Sequence, residues 1–155
     1  MIVVSDTSPL NYLVLTDLEW ILPILFGTVI VPGAVYDELR ASSAPEKVKS
    51  WVATSPPWIE VQTPPPVSSE LLILDAGERE VIALAERLNA RLVLLDEARG
   101  RQAATQRGLN VAGTLAVLQR AADRGLISLP DAIERLQRTS FRASPKLLES
   151  LRQRR

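Results

Sequence analysis

Short runs of aliphatic and β-branched residues alternate with stretches whose apolar positions recur every three to four residues, and this alternation organises the chain. Ile2 to Ser5 is the first such run and predicts a buried strand. Ser8-Pro9 reads as a helix N-cap followed by proline in the first turn. Leu10, Leu13 and Val14 supply that helix with its buried stripe, and Leu18 extends it. The tract from Trp20 to Phe26 predicts a further helical segment that stops at Gly27. Thr28 to Val31 predicts a second strand, and Pro32 starts a helix that turns Val35 and Leu39 inward. Glu46 to Val52 reads as helix and Trp58 to Val61 as an edge-like strand. The prolines of Thr63-Pro64-Pro65-Pro66 mark a loop. Gly77 precedes a strong helix with Val81, Ile82, Ala85 and Leu88 on one face. Arg91 to Leu95 is the clearest strand, followed by a small-residue helix from Ala98 to Arg107 that stops at Gly108. Leu109 to Val111 predicts a last short strand, and Gly113-Thr114 caps a helix ending at Gly125. Two polar helices are expected from about Pro130 and Ser144.

Strands separated by helices predict βαβ units, and hence an α/β fold with a parallel sheet covered by helices on both faces. A length of 155 residues suits one domain, residues 1–155, with C-terminal helices from about 130 appended to its core. Lys146, Arg152, Arg154 and Arg155 make that end basic. The N-terminus Met-Ile-Val-Val-Ser-Asp carries no basic leader, and the longest apolar tract is broken by Pro23. Neither a signal peptide nor a membrane span is expected, and the protein is expected to be soluble and cytoplasmic.

Charge and composition narrow the chemistry. Eighteen basic and eighteen acidic residues cancel, so binding to nucleic acid must use local patches rather than a general attraction. There is no cysteine, which excludes disulfides and thiolate sites. There is also no histidine, which removes the Ser-His-Asp triad and most zinc chemistry. Carboxylates, hydroxyls, Arg and Lys remain.

Ligands of a parallel sheet gather at the carboxyl ends of its strands. Asp6 follows the first predicted strand and Asp96 the fourth. Glu38 lies about two turns into the helix that starts at Pro32, and Glu78 stands at a helix start after Gly77. The four can face one edge of the sheet. Carboxylates so gathered repel one another, and a hard divalent cation, Mg²⁺ or Mn²⁺, resolves the conflict and activates water against a phosphodiester. Each acid also has a plainer role: Asp6 a cap, Asp96 the same by its like geometry, Glu78 a first-turn charge on the helix dipole, Glu38 part of a solvated face with Asp37 and Arg40. Asp75, Glu80 and Glu97 are rivals for the site, with Asp75 also read as an N-cap and Glu80 as an outer-face residue. Arg99, Arg101 and Arg107 follow the fourth acid and are candidates for phosphate contacts, or for a solvated helix face. Ser8, Thr7 and Thr114 can support the site, although Ser8 and Thr114 also suit helix caps. Trp20, Trp51 and Trp58 read as packing rather than as base-stacking platforms.

Four stretches together resemble the PIN-domain superfamily, and within it the VapC-like toxin ribonucleases of the Gly-Glu subgroup. They are Val3 to Leu10 with Asp6, Val31 to Leu39 with Glu38, Gly77 to Ala85 with Glu78, and Leu94 to Arg101 with Asp96. The likeness runs on through Gly108 to Leu115 and fades at about Ile127. Two departures are visible: Glu78 stands where many members carry Asp, and an Arg-rich turn follows Asp96. The resemblance implies a three-layer α/β/α fold and a Mg²⁺- or Mn²⁺-dependent endoribonuclease using Asp6, Glu38, Glu78 and Asp96. It also implies an RNA substrate, a homodimer, and neutralisation by a small antitoxin protein; Ser8, Arg99 and Arg101, read from their places in the chain, are the candidates to contact that RNA. The alternative is a catalytically idle PIN scaffold that binds RNA or protein. A receiver-like phosphoacceptor is disfavoured because Lys47, Lys49 and Lys146 fall at the wrong places, and an Asp-x-Asp phosphatase because Ser8 takes the second position.

Overall fold

Val3–Ser5 form a fully buried strand, β1, and the chain turns from it directly into a helix. The computed structural model describes residues 1–142 and residue 149. The helix expected near Ser144, and the basic residues Lys146, Arg152, Arg154 and Arg155, lie outside the described residues.

Helix α1 spans Thr7–Leu15, with Asp6 rather than Ser8 at its N-cap position. The expected Ser8 cap is therefore wrong: the extended Asp6 backbone enters the helix at once, leaving Ser8 and Pro9 inside the first turn. Proline is tolerated there because a first-turn N–H has no intrahelical acceptor. Leu10, Leu13 and Val14 face the core as expected, while Leu18 is buried beyond the helix end. A short helix α2 (Ile21–Phe26) carries Pro23 in its first turn and ends at Gly27, whose φ of 73° suits a residue without Cβ.

The remaining elements are β2 (Val29–Pro32), α3 (Gly33–Arg40), α4 (Glu46–Ala53), β3 (Ile59–Gln62), α5 (Ala76–Leu88), β4 (Leu92–Leu94), α6 (Ala98–Gln106), β5 (Val111–Ala112), α7 (Thr114–Asp123) and α8 (Leu129–Gln137). All five strands are parallel, in the order β3-β2-β1-β4-β5. β3 is an edge strand, as its half-exposed sequence foretells. The chain winds outward from β1 through β2 to β3, crosses over through α5, and winds outward again from β4 to β5. Right-handed connections then put α5 and α6 on one face and the earlier helices on the other. α1 packs against α3, α4 and α7, and α7 against α8, while α5 lies across β1, β2 and β4 and against α6. The fold is thus a three-layer α/β/α sandwich.

In such a sheet the winding reverses between β1 and β4. A crevice opens there at the carboxyl ends of the strands, and Asp6 and Asp96 follow those two strands. Among the described residues no helix is long and apolar enough to cross a membrane.

Candidate active site

A cavity of about 560 Å³ opens at this reversal point, lined by Asp6, Thr7, Ser8, Asn11, Glu38, Ile73, Leu74, Asp75, Glu78, Glu97 and Arg99. Five of its eleven lining residues are acids, and one is a cation. None of those acids is in an ion pair with any described residue.

Asp6 reaches the floor because β1 delivers it there; its N–H donates to the Leu94 carbonyl of β4 (2.9 Å), which ties the two central strands at the point of reversal. The residue is only 6% exposed. Burial pushes its carboxyl up to about 8, opposed by the Thr7 backbone amide and reinforced by the charges of Asp75, Glu78 and Glu38.

Glu38 comes from α3. Arg40 pairs with Asp37 (2.9 Å) and lies over the Tyr36 ring, so the solvated-face grouping leaves Glu38 out. A methyl group on Gly77 would lie 2.5 Å from Glu38 Oε1 and 3.0 Å from Asp6 Oδ1, which places both carboxylates around one point beside a bare backbone. Partial burial and the Asp75 charge raise the Glu38 carboxyl, and the neighbouring Thr7 hydroxyl favours its ionised form without closing a hydrogen bond.

Glu78 has two roles. Its N–H donates to Asp75 Oδ1 (2.9 Å) and its Oε1 accepts from the Asp75 N–H (3.3 Å), a capping box that starts α5. The N-cap reading of Asp75 and the first-turn reading of Glu78 both hold. Yet Glu78 Oε2 is buried with no hydrogen-bond partner. A buried, unpaired polar group costs about 1–3 kcal/mol, and more when charged. Burial and the Asp75 charge carry the Glu78 carboxyl up to about 7.

Asp96 stands apart. It does not line the cavity; Oδ1 accepts the Thr114 N–H (2.7 Å) and Oδ2 the Thr114 hydroxyl (2.7 Å), at the start of α7. Burial raises its carboxyl, while Thr114 and the charge of Arg101 hold it down. Arg101 accordingly sits on the Asp96 side and not in the cavity wall, whereas Arg99 and Ser8 do line the cavity. Arg107 is engaged elsewhere, with Glu70 (3.3 Å) and Glu86 (3.0 Å).

Of the rivals, Asp75 and Glu97 join the cavity and Glu80 does not. Glu80 Oε1 accepts the Ala34 N–H (2.9 Å), capping α3 from outside, so it is not a bare outer-face residue. Asn11 escaped the sequence reading. It stands one turn after Thr7 on α1, lines the cavity, and its Oδ1 is buried without a partner. The signal was present: a lone amide at i, i+4 from Thr7, set between the apolar positions Leu10 and Leu13. None of the three tryptophans lines the cavity; Trp51 and Trp58 pack together with ring centroids 5.7 Å apart.

The family model DUF3368, described as a PIN domain, matches residues 2–155. The chain belongs to this PIN-domain family. PIN domains are in general nucleases that bind nucleic acid and use divalent metals. No curated protein matches the chain. As a donor set for such an ion, the cavity of this PIN domain offers only oxygen, which suits Mg²⁺ or Mn²⁺. The orphaned Glu78 Oε2 and the paired approach of Asp6 and Glu38 fit a cation. Among the described residues, however, no three acids are yet drawn together closely enough to hold one ion.

Proposed function

We propose that this chain is a Mg²⁺- or Mn²⁺-dependent endoribonuclease of the VapC type, the toxin of a toxin–antitoxin pair. Asp6, Glu38 and Glu78 would hold the cation, with Asp96 at the margin. The observation that carries the reading is the assembly of unpaired acids around one cavity, with a buried Glu78 oxygen that has no partner. A divalent cation bound there supplies charge neutralisation at the scissile phosphate and an activated water.

The chain's own residues do the rest. Asp6 and Glu38 present their oxygens beside Gly77, and the Asp75 capping box holds Glu78 in line. Arg99, which has no ion-pair partner among the described residues, and the Ser8 hydroxyl meet the phosphate from the cavity wall. Thr114 fixes Asp96 in one rotamer through both oxygens. A homodimer and an antitoxin complete the reading. The antitoxin would cover the cavity with an Arg against the acids and apolar side chains against Leu72 and Ile73, which are 60% and 72% exposed.

A catalytically idle PIN scaffold draws on the fact that no three described acids meet at one ion. Incubating pure protein with total RNA, with and without Mn²⁺, separates the two. Mn²⁺-dependent cuts that vanish in Asp6→Asn and Asp96→Asn are expected; intact RNA would leave the scaffold. Expression in a bacterial host should slow growth for the wild type and not for Asp6→Asn, and equal growth would remove the toxin role.

A further inference from the structure

The seven glycines fall into groups with different physical reasons. Gly27, Gly108 and Gly125 have φ between 73° and 80°, where a side chain would be strained. Gly33 has open space around it. The other three have no positive φ, yet each abuts an acid of the proposed site. A methyl on Gly77 would meet Glu38 Oε1 at 2.5 Å and Asp6 Oδ1 at 3.0 Å. On Gly100 it would meet Glu78 Oε2 at 2.7 Å, and on Gly113 Asp96 Oδ1 at 2.8 Å. Every glycine that neither the backbone conformation nor open space explains thus faces one of the four acids, and together the three serve all four.

We propose that Gly77, Gly100 and Gly113 are positioning residues whose absent side chains are the spaces the site carboxylates occupy. The proposal deepens the metal-nuclease reading and rests on it for its functional meaning. Gly100 is the sharpest case. It lies in the first turn of α6 and sits over the one carboxylate oxygen of the cavity that is buried and unpartnered, Glu78 Oε2. A glutamate carries its carboxylate one methylene farther than an aspartate does. The third acid here is a glutamate, and the bare Gly100 backbone gives its longer arm somewhere to lie. Helix propensity works against glycine at this position, since alanine is the better helix former. The space itself is therefore the reason for a glycine. Leu95 Cδ2, 3.1 Å from the same methyl position, is a second neighbour, so the test must separate the two.

A double-mutant cycle does this. Gly100→Ala is made in the wild type and in Glu78→Asp, whose shorter side chain withdraws the carboxylate. Two properties are measured on the full chain: the melting temperature without metal, and Mn²⁺ affinity by calorimetry. In the wild type the added methyl should lower the melting temperature or leave it unchanged and weaken Mn²⁺ binding about tenfold or more. In Glu78→Asp it should raise the melting temperature through helix propensity and change Mn²⁺ affinity less than about threefold. The pair Gly77→Ala with Glu38→Asp serves as the parallel cycle. If the wild type binds no Mn²⁺, the metal reading falls, and the metal-free melting cycle still decides the role of Gly100. A methyl effect of the same size in both backgrounds overturns the proposal and assigns the contact to Leu95.

Discussion

Asp6 and Glu78 are carboxyls held far from their ordinary range, at about 8 and about 7, first by burial and then by neighbouring acids. Both folded values lie above the unfolded ones, 3.8 and 4.5. Between those limits the folded chain keeps protons that the unfolded chain has released. Stability is then greatest below about pH 4 as far as these groups are concerned, and is lost as pH rises through 7 and 8. The metal-free protein should therefore melt several degrees lower at pH 8 than at pH 5, a chain of this size losing roughly 2–4 °C per kcal/mol. A cation that binds the ionised acids should flatten the slope, because it replaces the protons. Scanning calorimetry across that range, with and without Mn²⁺, is the measurement. A metal-free melting temperature that rises from pH 5 to pH 8 would contradict the buried-acid picture.

Among the elements, α3 is one of those that start without a side-chain cap of their own. Its N-cap is Pro32, which has no side-chain cap to offer, and the Ala34 N–H is taken instead by Glu80 from α5. That bond runs between the helix that carries Glu38 and the helix that carries Glu78. It joins the two helices on which Glu38 approaches Gly77. Glu80→Ala should cost about 1–2 kcal/mol, as the loss of a helix cap does, and should also weaken Mn²⁺ binding although Glu80 is outside the cavity. Glu80→Gln retains an acceptor oxygen and should recover most of both. Melting curves and Mn²⁺ titrations of the two variants test this. Unchanged Mn²⁺ affinity in Glu80→Ala would confine Glu80 to a local cap.

At the scale of the whole molecule, eighteen positive and eighteen negative charges give no long-range attraction for RNA, and the cavity itself is acidic. For the proposed RNA substrate, binding would then depend on few phosphate contacts, with Arg99 at the cavity and Arg101 beside Asp96 as the candidate cations. Two contacts to a single strand correspond to a slope of about −1.4 in log affinity against log salt. Fluorescence anisotropy with a short RNA in Ca²⁺ should give a slope near that value, reduced by about half in Arg99→Gln. A slope of about −2.8 that is unchanged in Arg99→Gln would assign RNA binding to the four basic residues Lys146, Arg152, Arg154 and Arg155 instead.

Local pattern controls the part of this molecule that can be read residue by residue along the chain. Buried strands read as aliphatic runs, helices as periodic stripes, and an acid that follows a strand of a parallel sheet lands at its carboxyl end whatever packs around it. That reasoning put Asp6 and Asp96 just past the ends of β1 and β4, named Glu38 and Glu78 as candidates beside them, and predicted the sandwich that carries them. Tertiary structure decided where the side chains point and what they meet. Asp96 is turned into the start of α7 because Thr114, eighteen residues on, offers two donors. Glu80 is spent on α3, forty-six residues back along the chain. Asp75, Glu97 and Asn11 enter the cavity wall because their helices begin at its rim. Nor does a sequence mark a glycine whose missing side chain leaves room for a residue of another helix, although it does mark the helix stops Gly27, Gly108 and Gly125. Gly27 reads as a helix stop and has the φ of 73° that suits one, whereas nothing local marks Gly100, on which a methyl would lie 2.7 Å from a carboxylate oxygen of another helix. Such distances are set by the crossing of elements far apart in the chain, and periodicity within one element carries no record of them.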